Sequence, residues 1–260
     1  MTVAAYAKDP LTPLDGLLQF AKDTRLAHVH LAWEHIVRSP RSPNGSHARG
    51  AADFSPRGLS TRDSTPVIGN SGVNTILECL HGEGLELAGI DATALDGLDG
   101  ETFKKQTDDI CVQMRAAGRL GAGNVTLTAG PRDPANFAHV VDGLRRLTVL
   151  ADRVGVALSI RNVCDSSVEQ LDDLHRLFHE VGAKHLTLDL DMAEFQAAVV
   201  KPYDAAISFA YRVARIRVCD INLEATLATL QRDGFTGPVL VALEDGPRWA
   251  GGVIETARRH

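Results

Sequence analysis

Short stretches in which apolar and polar residues alternate recur along the chain, and a longer stretch with helical spacing follows each. The alternating stretches predict β-strands near 2–6, 27–32, 85–90, 124–129, 156–161, 185–190, 214–219 and 238–244. The helical stretches predict α-helices near 13–24, 72–83, 101–119, 134–153, 167–181, 192–210, 223–233 and 248–258. Strands that each precede a helix predict parallel βα units. Because 260 residues is a typical length for one such domain, the sequence predicts a single (β/α)8 TIM barrel over 1–260.

One face of several predicted strands is unusually polar. Apolar residues alternate with Arg161 on the fifth strand, with Asp189 and Asp191 on the sixth, and with Arg217 on the seventh. Neighbouring side chains of a strand point to opposite faces, so the apolar face is expected to contact the helices and the polar face to line the barrel. Barrel interiors normally contain Val, Ile and Leu, so inward charges near strand ends indicate a site. The alternative is an ion-pair network that only fixes the barrel.

The segment 37–68 has no helical or strand period. It holds six Ser, four Pro and five Arg residues. Loops of this length without secondary structure are usually lids, binding loops or disordered segments. Because this one follows a strand, it is predicted to be a basic lid over the barrel mouth that favours an anionic substrate. The alternative is an insertion without a role.

Composition limits the classes of partner. A net charge of −6 and a pI of about 5.9 argue against a nucleic-acid-binding protein, which needs a basic face. No apolar run approaches the roughly 20 residues of a membrane span. The four cysteines are scattered and form no CxxC pair, which is typical of the reducing cytoplasm. We therefore expect a cytoplasmic protein whose partner is a small molecule.

The order and spacing of six segments resemble the sugar-phosphate isomerase/epimerase superfamily of xylose isomerase-like barrels. The segments are Leu14–Leu31, Leu120–Leu127, Val156–Asn162, Leu186–Met192, Ile216–Asp220 and Gly237–Glu244. The resemblance covers nearly the whole chain. It implies a (β/α)8 fold, a sugar-like substrate and, because relatives often pair, a homodimer.

This resemblance also implies a metal site, which the sequence alters. Members of the family usually bind one divalent metal through Glu, Asp, His and Glu on strands five to eight. The Asp corresponds to Asp189 and the last Glu to Glu244, whereas Arg161 and Arg217 stand at the other two positions. An arginine has no lone pair to give a metal. We therefore expect no cofactor; the alternative is a displaced Mn, Zn or Mg site that retains Asp189 and Glu244.

The resulting hypothesis is metal-independent proton transfer next to a carbonyl of a small anionic or polyhydroxy substrate. The reaction would be isomerisation, epimerisation, or dehydration or cyclisation by a lyase. His30 is the predicted general acid/base, with Asp189 or Glu244 as its partner. A guanidinium group binds a carboxylate or phosphate bidentately, or stabilises an enolate oxygen. The predicted substrate-binding set is Arg161, Arg217, Asp191 and Thr128.

Two other functions stay open. One is a catalytically silent barrel that binds a small molecule or a partner protein. The other is a conventional metal-dependent sugar isomerase or epimerase with displaced ligands. Fold alone does not separate them, because barrels host many chemistries.

Overall fold

The computed structural model describes residues 1–38, 70–97, 99–219 and 223–259. Eight parallel strands form a closed barrel in sequence order, and β8 pairs with β1. This confirms the predicted (β/α)8 TIM barrel. The strands are β1 (Val3–Tyr6), β2 (His28–Ala32), β3 (Glu86–Asp91), β4 (Asn124–Thr128), β5 (Ala157–Arg161), β6 (Leu186–Asp191), β7 (Val213–Arg217) and β8 (Val239–Ala242).

Helices follow the strands and cover the outside of the barrel. Their apolar faces pack with the outward side chains of the strands in one continuous core. No helix in the described ranges has the length and apolar character of a membrane span. The helices are α1 (Leu14–Asp23), α2 (Trp33–Arg38), α3 (Asn70–Gly82), α4 (Gly100–Leu120), α5 (Pro134–Val154), α6 (Leu171–Val181), α7 (Met192–Ala197), α8 (Pro202–Phe209), α9 (Leu223–Arg232) and α10 (Pro247–Arg259).

Local signals explain where the helices begin and end. Asp133 accepts hydrogen bonds from the backbone N–H groups of Ala135 and Asn136, and Pro134 opens α5 with its φ angle preset. That helix ends at Gly155, whose φ of 72° lies in the left-handed region that a glycine adopts without strain.

Several predicted boundaries were wrong. The helix predicted over 192–210 is two helices, because Val199 takes a φ of 60° and Pro202 starts α8. A short helix, α2, follows β2 directly and contains the first two residues of the predicted lid over 37–68; the rest of that lid lies outside the described residues. The strand predicted over 238–244 ends at Ala242, and a turn of 3-10 helix follows.

The barrel interior has two kinds of lining. Next to the β1–β8 seam it is apolar and consists of Ala4, Tyr6, Leu240 and Ala242. Around the rest of the barrel, buried polar and charged side chains from β2, β4, β6 and β7 fill the interior. The predicted polar strand face therefore points inward.

Candidate functional site

Arg217 connects two carboxylates at the carboxyl end of the barrel. Its Nη2 donates hydrogen bonds to Asp91 Oδ1 at 2.6 Å and to Asp189 Oδ2 at 2.8 Å. Its Nε lies 3.3 and 3.2 Å from the two oxygens of Asp189. The guanidinium also lies over the ring of Tyr6, 4.8 Å from its centroid. Arg217 is thereby fixed on three sides, while its buried Nη1 has no hydrogen-bond partner in the described part of the chain.

His30 is buried beneath this ion pair and is held at both ring nitrogens. Arg215 Nη1 lies 2.6 Å from Nδ1, and Asp91 Oδ1 lies 2.8 Å from Nε2. Because a guanidinium only donates, Nδ1 accepts and Nε2–H donates to Asp91. Burial lowers the pKa of His30 to about 4, and Arg215 acts in the same direction against the carboxylate of Asp91. The imidazole is therefore neutral at physiological pH.

Arg215 reaches His30 by crossing the barrel from β7 towards β3. A Cβ added at Gly89 would lie 2.5 Å from Arg215 Nη1 and 2.6 Å from Nη2. Only a residue without a side chain leaves room for the guanidinium at that point. The sequence showed Arg215 on the polar face of β7 but did not indicate that it supports the site.

Asp91 is the central carboxylate that the sequence analysis missed. It ends β3 opposite Ala32 of β2, and its side chain is 21% exposed. Burial is the largest single influence and acts to raise the pKa of Asp91, but Arg217, His30 and Arg161 together outweigh it and hold the pKa well below its usual range. The predicted strand stopped at residue 90, one residue short. A carboxylate directly after the buried Ile90 was the signal available.

Arg161 lies at the mouth of the barrel, at the end of β5. Its side chain is 24% exposed, and its Nη1 lies 3.6 Å from Asp91 Oδ2, a distance too long for a hydrogen bond. Its Nε is buried and has no partner among the described residues. Thr128 is its neighbour in register on β4. The structure thus brings Arg161 and Arg217 to the same carboxylate.

Asp191 ends β6 and caps α7. Its Oδ1 accepts hydrogen bonds from the N–H groups of Ala193 and Glu194. Burial raises the pKa of Asp191 to about 6, although Arg161 and Arg217 oppose the shift. Asp189, two residues earlier, is fully buried; its pKa is raised by burial but lowered further by Arg217 and Arg215, so that it falls below the usual value. Thr126 also donates a hydrogen bond to Asp189, at 3.0 Å.

Glu244 lies apart from this cluster. Its Oε1 accepts from the N–H groups of Lys8 at 2.9 Å and Asp9 at 3.3 Å, in the loop after β1. Among the described residues, neither Arg161 nor Arg217 is paired with Glu244, and both contact Asp91 instead. The physical reason is that β8 ends at Ala242, so Glu244 leaves the inward-facing register of the strand.

The donors at the barrel end do not fit the divalent metal of the family. Asp91, Asp189 and His30 each already bind a guanidinium, and fixed cations there would repel a metal ion. Within the described ranges, the metal-binding side chains that come within reach of one another in a group of three are Cys164, Asp165 and Glu169, after β5. Glu169 is also ion-paired with Arg132.

Comparison with known proteins gives the family. Residues 53–260 match the model of the xylose isomerase-like TIM barrel family. The sequence matches no curated protein. Among solved structures, 3-keto-D-glucoside 4-epimerase from E. coli superposes with a TM-score of 0.72 at 13% identity, over 100% of both chains. D-Psicose 3-epimerase from Clostridium cellulolyticum H10 gives 0.72 at 11% identity, over 100% of this chain and 99% of that one.

A third similar structure contains a metal. The xylose isomerase-like TIM barrel protein from Mycobacterium smegmatis, in complex with magnesium, superposes with a TM-score of 0.70 at 14% identity, over 98% of this chain and 97% of that chain. At these identities the structural likeness concerns the fold, whereas the family model covers most of the sequence. The chain belongs to the xylose isomerase-like TIM barrel family.

Proposed function

We propose that this protein is an isomerase or epimerase that moves a proton at a carbon next to a carbonyl group of a small anionic or polyhydroxy compound, without the divalent metal of its family. The observation that carries the proposal is the position of Arg217. It is a fixed cation at the barrel end, held by Asp91 and Asp189, and one of its N–H groups has no acceptor in the described residues. The similar structures that act on keto sugars support the reaction class.

The chemistry explains why a fixed cation is useful. Removing a proton next to a carbonyl places negative charge on the carbonyl oxygen, giving an enediolate. Preorganised donors that face this oxygen lower the barrier, because they need no rearrangement when the charge develops. Arg217 Nη1 is a donor without an acceptor among the described residues, and it supplies this role. A guanidinium stays charged throughout, as a metal ion would.

Proton transfer needs a group whose pKa lies near the working pH. Asp191 meets this condition with a pKa of about 6, and it stands at a strand end near Arg161 and Arg217. The side chains of His30 and Asp189 have no exposed surface, so in this conformation they act by orienting Asp91 and Arg217. The proton leaves the substrate carbon for the carboxylate and returns to the opposite face or to the adjacent carbon, so no oxidant is consumed.

Two other functions are compatible with the same site. Loss of a neighbouring hydroxyl from the enediolate would make the protein a lyase. A silent binding barrel is favoured by one observation, the saturation of two carboxylates by Arg217. The isomerase, the lyase and the silent barrel all predict ligand binding. Only the two enzymes predict exchange of carbon-bound hydrogen with solvent.

The test is therefore hydrogen exchange in D2O followed by proton NMR. D-Fructose, D-psicose and D-tagatose are incubated with the protein, with and without EDTA, and the metal content is measured by elemental mass spectrometry. Deuterium entering the carbon next to the ketone, unaffected by chelator, supports the proposal. Exchange that EDTA abolishes would restore the metal-dependent alternative.

A matched variant assigns the proton transfer. Asp191→Asn should lower the exchange rate by about 10²- to 10⁴-fold, because the amide cannot accept the proton. The exposed Asp142→Asn, on α5, is the control and should leave the rate unchanged. Equal rates in the two variants would remove Asp191 from the mechanism.

A further inference from the structure

We propose that the substrate of this site carries a carboxylate group and that Arg161 is the residue that binds it. This inference rests on the proposed function for the reaction, but the binding step stands without it. It narrows an anionic or polyhydroxy substrate to one class, the carboxylates of sugars and related carbonyl compounds.

The first observation is the difference in bonding among the three arginines at the barrel end. Arg217 is hydrogen-bonded to two carboxylates, and Arg215 donates to His30. The side chain of Arg161 makes no hydrogen bond within the described ranges, and its one ion pair, to Asp91, is 3.6 Å long. A buried Nε–H without an acceptor is costly unless a ligand or water satisfies it. Arg215 has such an Nε–H as well, but its guanidinium is bonded to His30, so Arg161 is the one of the three whose guanidinium is left for a ligand.

The second observation is position. Arg215 and Arg217 are almost completely buried, whereas about a quarter of the Arg161 side chain is exposed at the mouth. Arg161 and Arg217 both lie against Asp91, so a molecule bound by Arg161 stands next to the carboxylate that holds Arg217. An anionic group on Arg161 then leaves the carbonyl of the same molecule beside Arg217.

The third observation is charge, which favours a carboxylate over a phosphate. Arg217 is paired with Asp189 and Asp91, and Arg215 is buried against His30 and Asp189, so Arg161 is the guanidinium whose charge faces the mouth without a hydrogen-bonded partner in the described residues. One such guanidinium matches a monoanion in bidentate geometry. A phosphate group carries about −1.5 to −2 at neutral pH, and the excess charge would be repelled by the ionised Asp91.

The test uses three sugars that differ at one carbon. D-Fructose, D-fructuronate and D-fructose 6-phosphate carry a hydroxymethyl, a carboxylate and a phosphate ester at C6, and they share the same ketone. Their affinities are measured by calorimetry for the wild-type protein, Arg161→Gln and Arg161→Lys, with thermal unfolding as the check that each variant folds. Exchange in D2O is followed on the same samples.

The expected result is tighter binding of D-fructuronate than of D-fructose by about 10-fold or more. Arg161→Gln should weaken D-fructuronate about 10- to 100-fold, the usual effect of losing a hydrogen bond between charged groups, and leave D-fructose within twofold. Arg161→Lys should retain part of the affinity, because it keeps the charge but loses the bidentate geometry.

A matched control separates local binding from general charge. Arg132 lies in the loop after β4, at the same end of the barrel, and its side chain is about half exposed. Arg132→Gln removes the same charge without touching the site, so it should leave both affinities within twofold.

The outcomes are distinct. Equal affinities for the three sugars, no binding by any of them, or a preference for D-fructose 6-phosphate lost in Arg161→Gln would each overturn the carboxylate assignment. Binding of D-fructuronate that depends on Arg161, without exchange of any sugar, would support the assignment and contradict the proposed function. Exchange of D-fructose by the wild-type protein, with no gain in affinity from the carboxylate, would support the proposed function and contradict the assignment.

Discussion

The two halves of the barrel interior are filled by opposite means. Beside the β1–β8 seam, Tyr6 and Leu240 pack with small alanines. Directly beside them, starting on the neighbouring strand β7, Arg217 and Asp189 fill comparable space with charge. Apolar packing is non-directional and tolerates exchange among side chains of similar volume. A buried charge is tolerated only while its partners remain, so the charged half is the part of the interior that depends on exact residue identity.

The largest expected effect comes from removing the cation between the two carboxylates. Arg217→Met keeps most of the side-chain volume but leaves Asp91 and Asp189 close together without their main partner. We expect a loss of about 3–5 kcal/mol in the free energy of unfolding, measured by urea denaturation. Arg132→Met, at an exposed ion pair, is the control and should cost under about 1 kcal/mol. Similar losses of unfolding free energy in the two variants would show that the buried ion pairs matter no more to stability than an exposed one.

Next in size is a pair of opposing pH effects within the charged half. The pKa of His30 falls to about 4, so this residue stabilises the fold above pH 6.5, and that stability is lost as pH falls towards 4. The pKa of Asp191 rises to about 6, so it stabilises the fold below pH 3.8, and that stability is lost as pH rises through 6. Shifts of this size each correspond to about 3 kcal/mol.

The two effects should nearly cancel in the wild-type protein between pH 4 and 6.5. Asp191→Asn should therefore lose stability on acidification across this window, and His30→Gln should gain it. Denaturation curves at four or five pH values measure both slopes. Parallel slopes in the two variants would contradict the opposed pKa shifts.

A smaller effect is expected at Gly89, which leaves room for the guanidinium of Arg215. Gly89→Ala places a Cβ against the guanidinium of Arg215, which His30 holds in position. We expect a loss of about 1–3 kcal/mol, the usual cost of overpacking. Gly16→Ala in α1 meets nothing within 4 Å and should gain about 0.5–1 kcal/mol from helix propensity. Thermal unfolding compares the two, and a neutral Gly89→Ala would mean that Arg215 moves freely.

The smallest effect belongs to the apolar half. Leu240→Met conserves volume and should cost less than about 1.5 kcal/mol. Because Arg217→Met introduces the same residue at the register neighbour of Leu240 on β7, the two variants measure the difference between the linings directly. Equal losses of unfolding free energy in urea denaturation would show that the apolar and the charged lining tolerate substitution equally.

The sequence predicts the barrel well because a strand lining has a strict period of two. Arg161, Asp189, Asp191 and Arg217 were predicted to point inward on that basis, and they do. Pairing across the barrel is different, since it depends on where each strand ends. Asp91 was missed because β3 shows no clear alternation and because its pairing with β2 shifts register between Val29 and His30.

Glu244 shows the same limit of prediction from sequence, because its partners also depend on where a strand ends. Sequence resemblance placed it beside the arginines, but β8 ends two residues earlier and the carboxylate binds backbone N–H groups instead. The roles predicted for His30, Asp189 and Thr128 stay predictions, because burial and tautomer decide which groups reach a substrate. Neither the burial of a side chain nor the tautomer of a histidine can be predicted from the spacing of residues along the chain.

The contact of Glu244 with Lys8 also sets a condition on folding during synthesis. These residues are 236 positions apart, and β1 has one free edge until β8 pairs with it. At the usual rate of translation, about 5–20 residues per second, that edge stays open for roughly ten to fifty seconds. An unpaired strand edge is a site of aggregation, so the nascent chain depends on shielding of β1 for that interval.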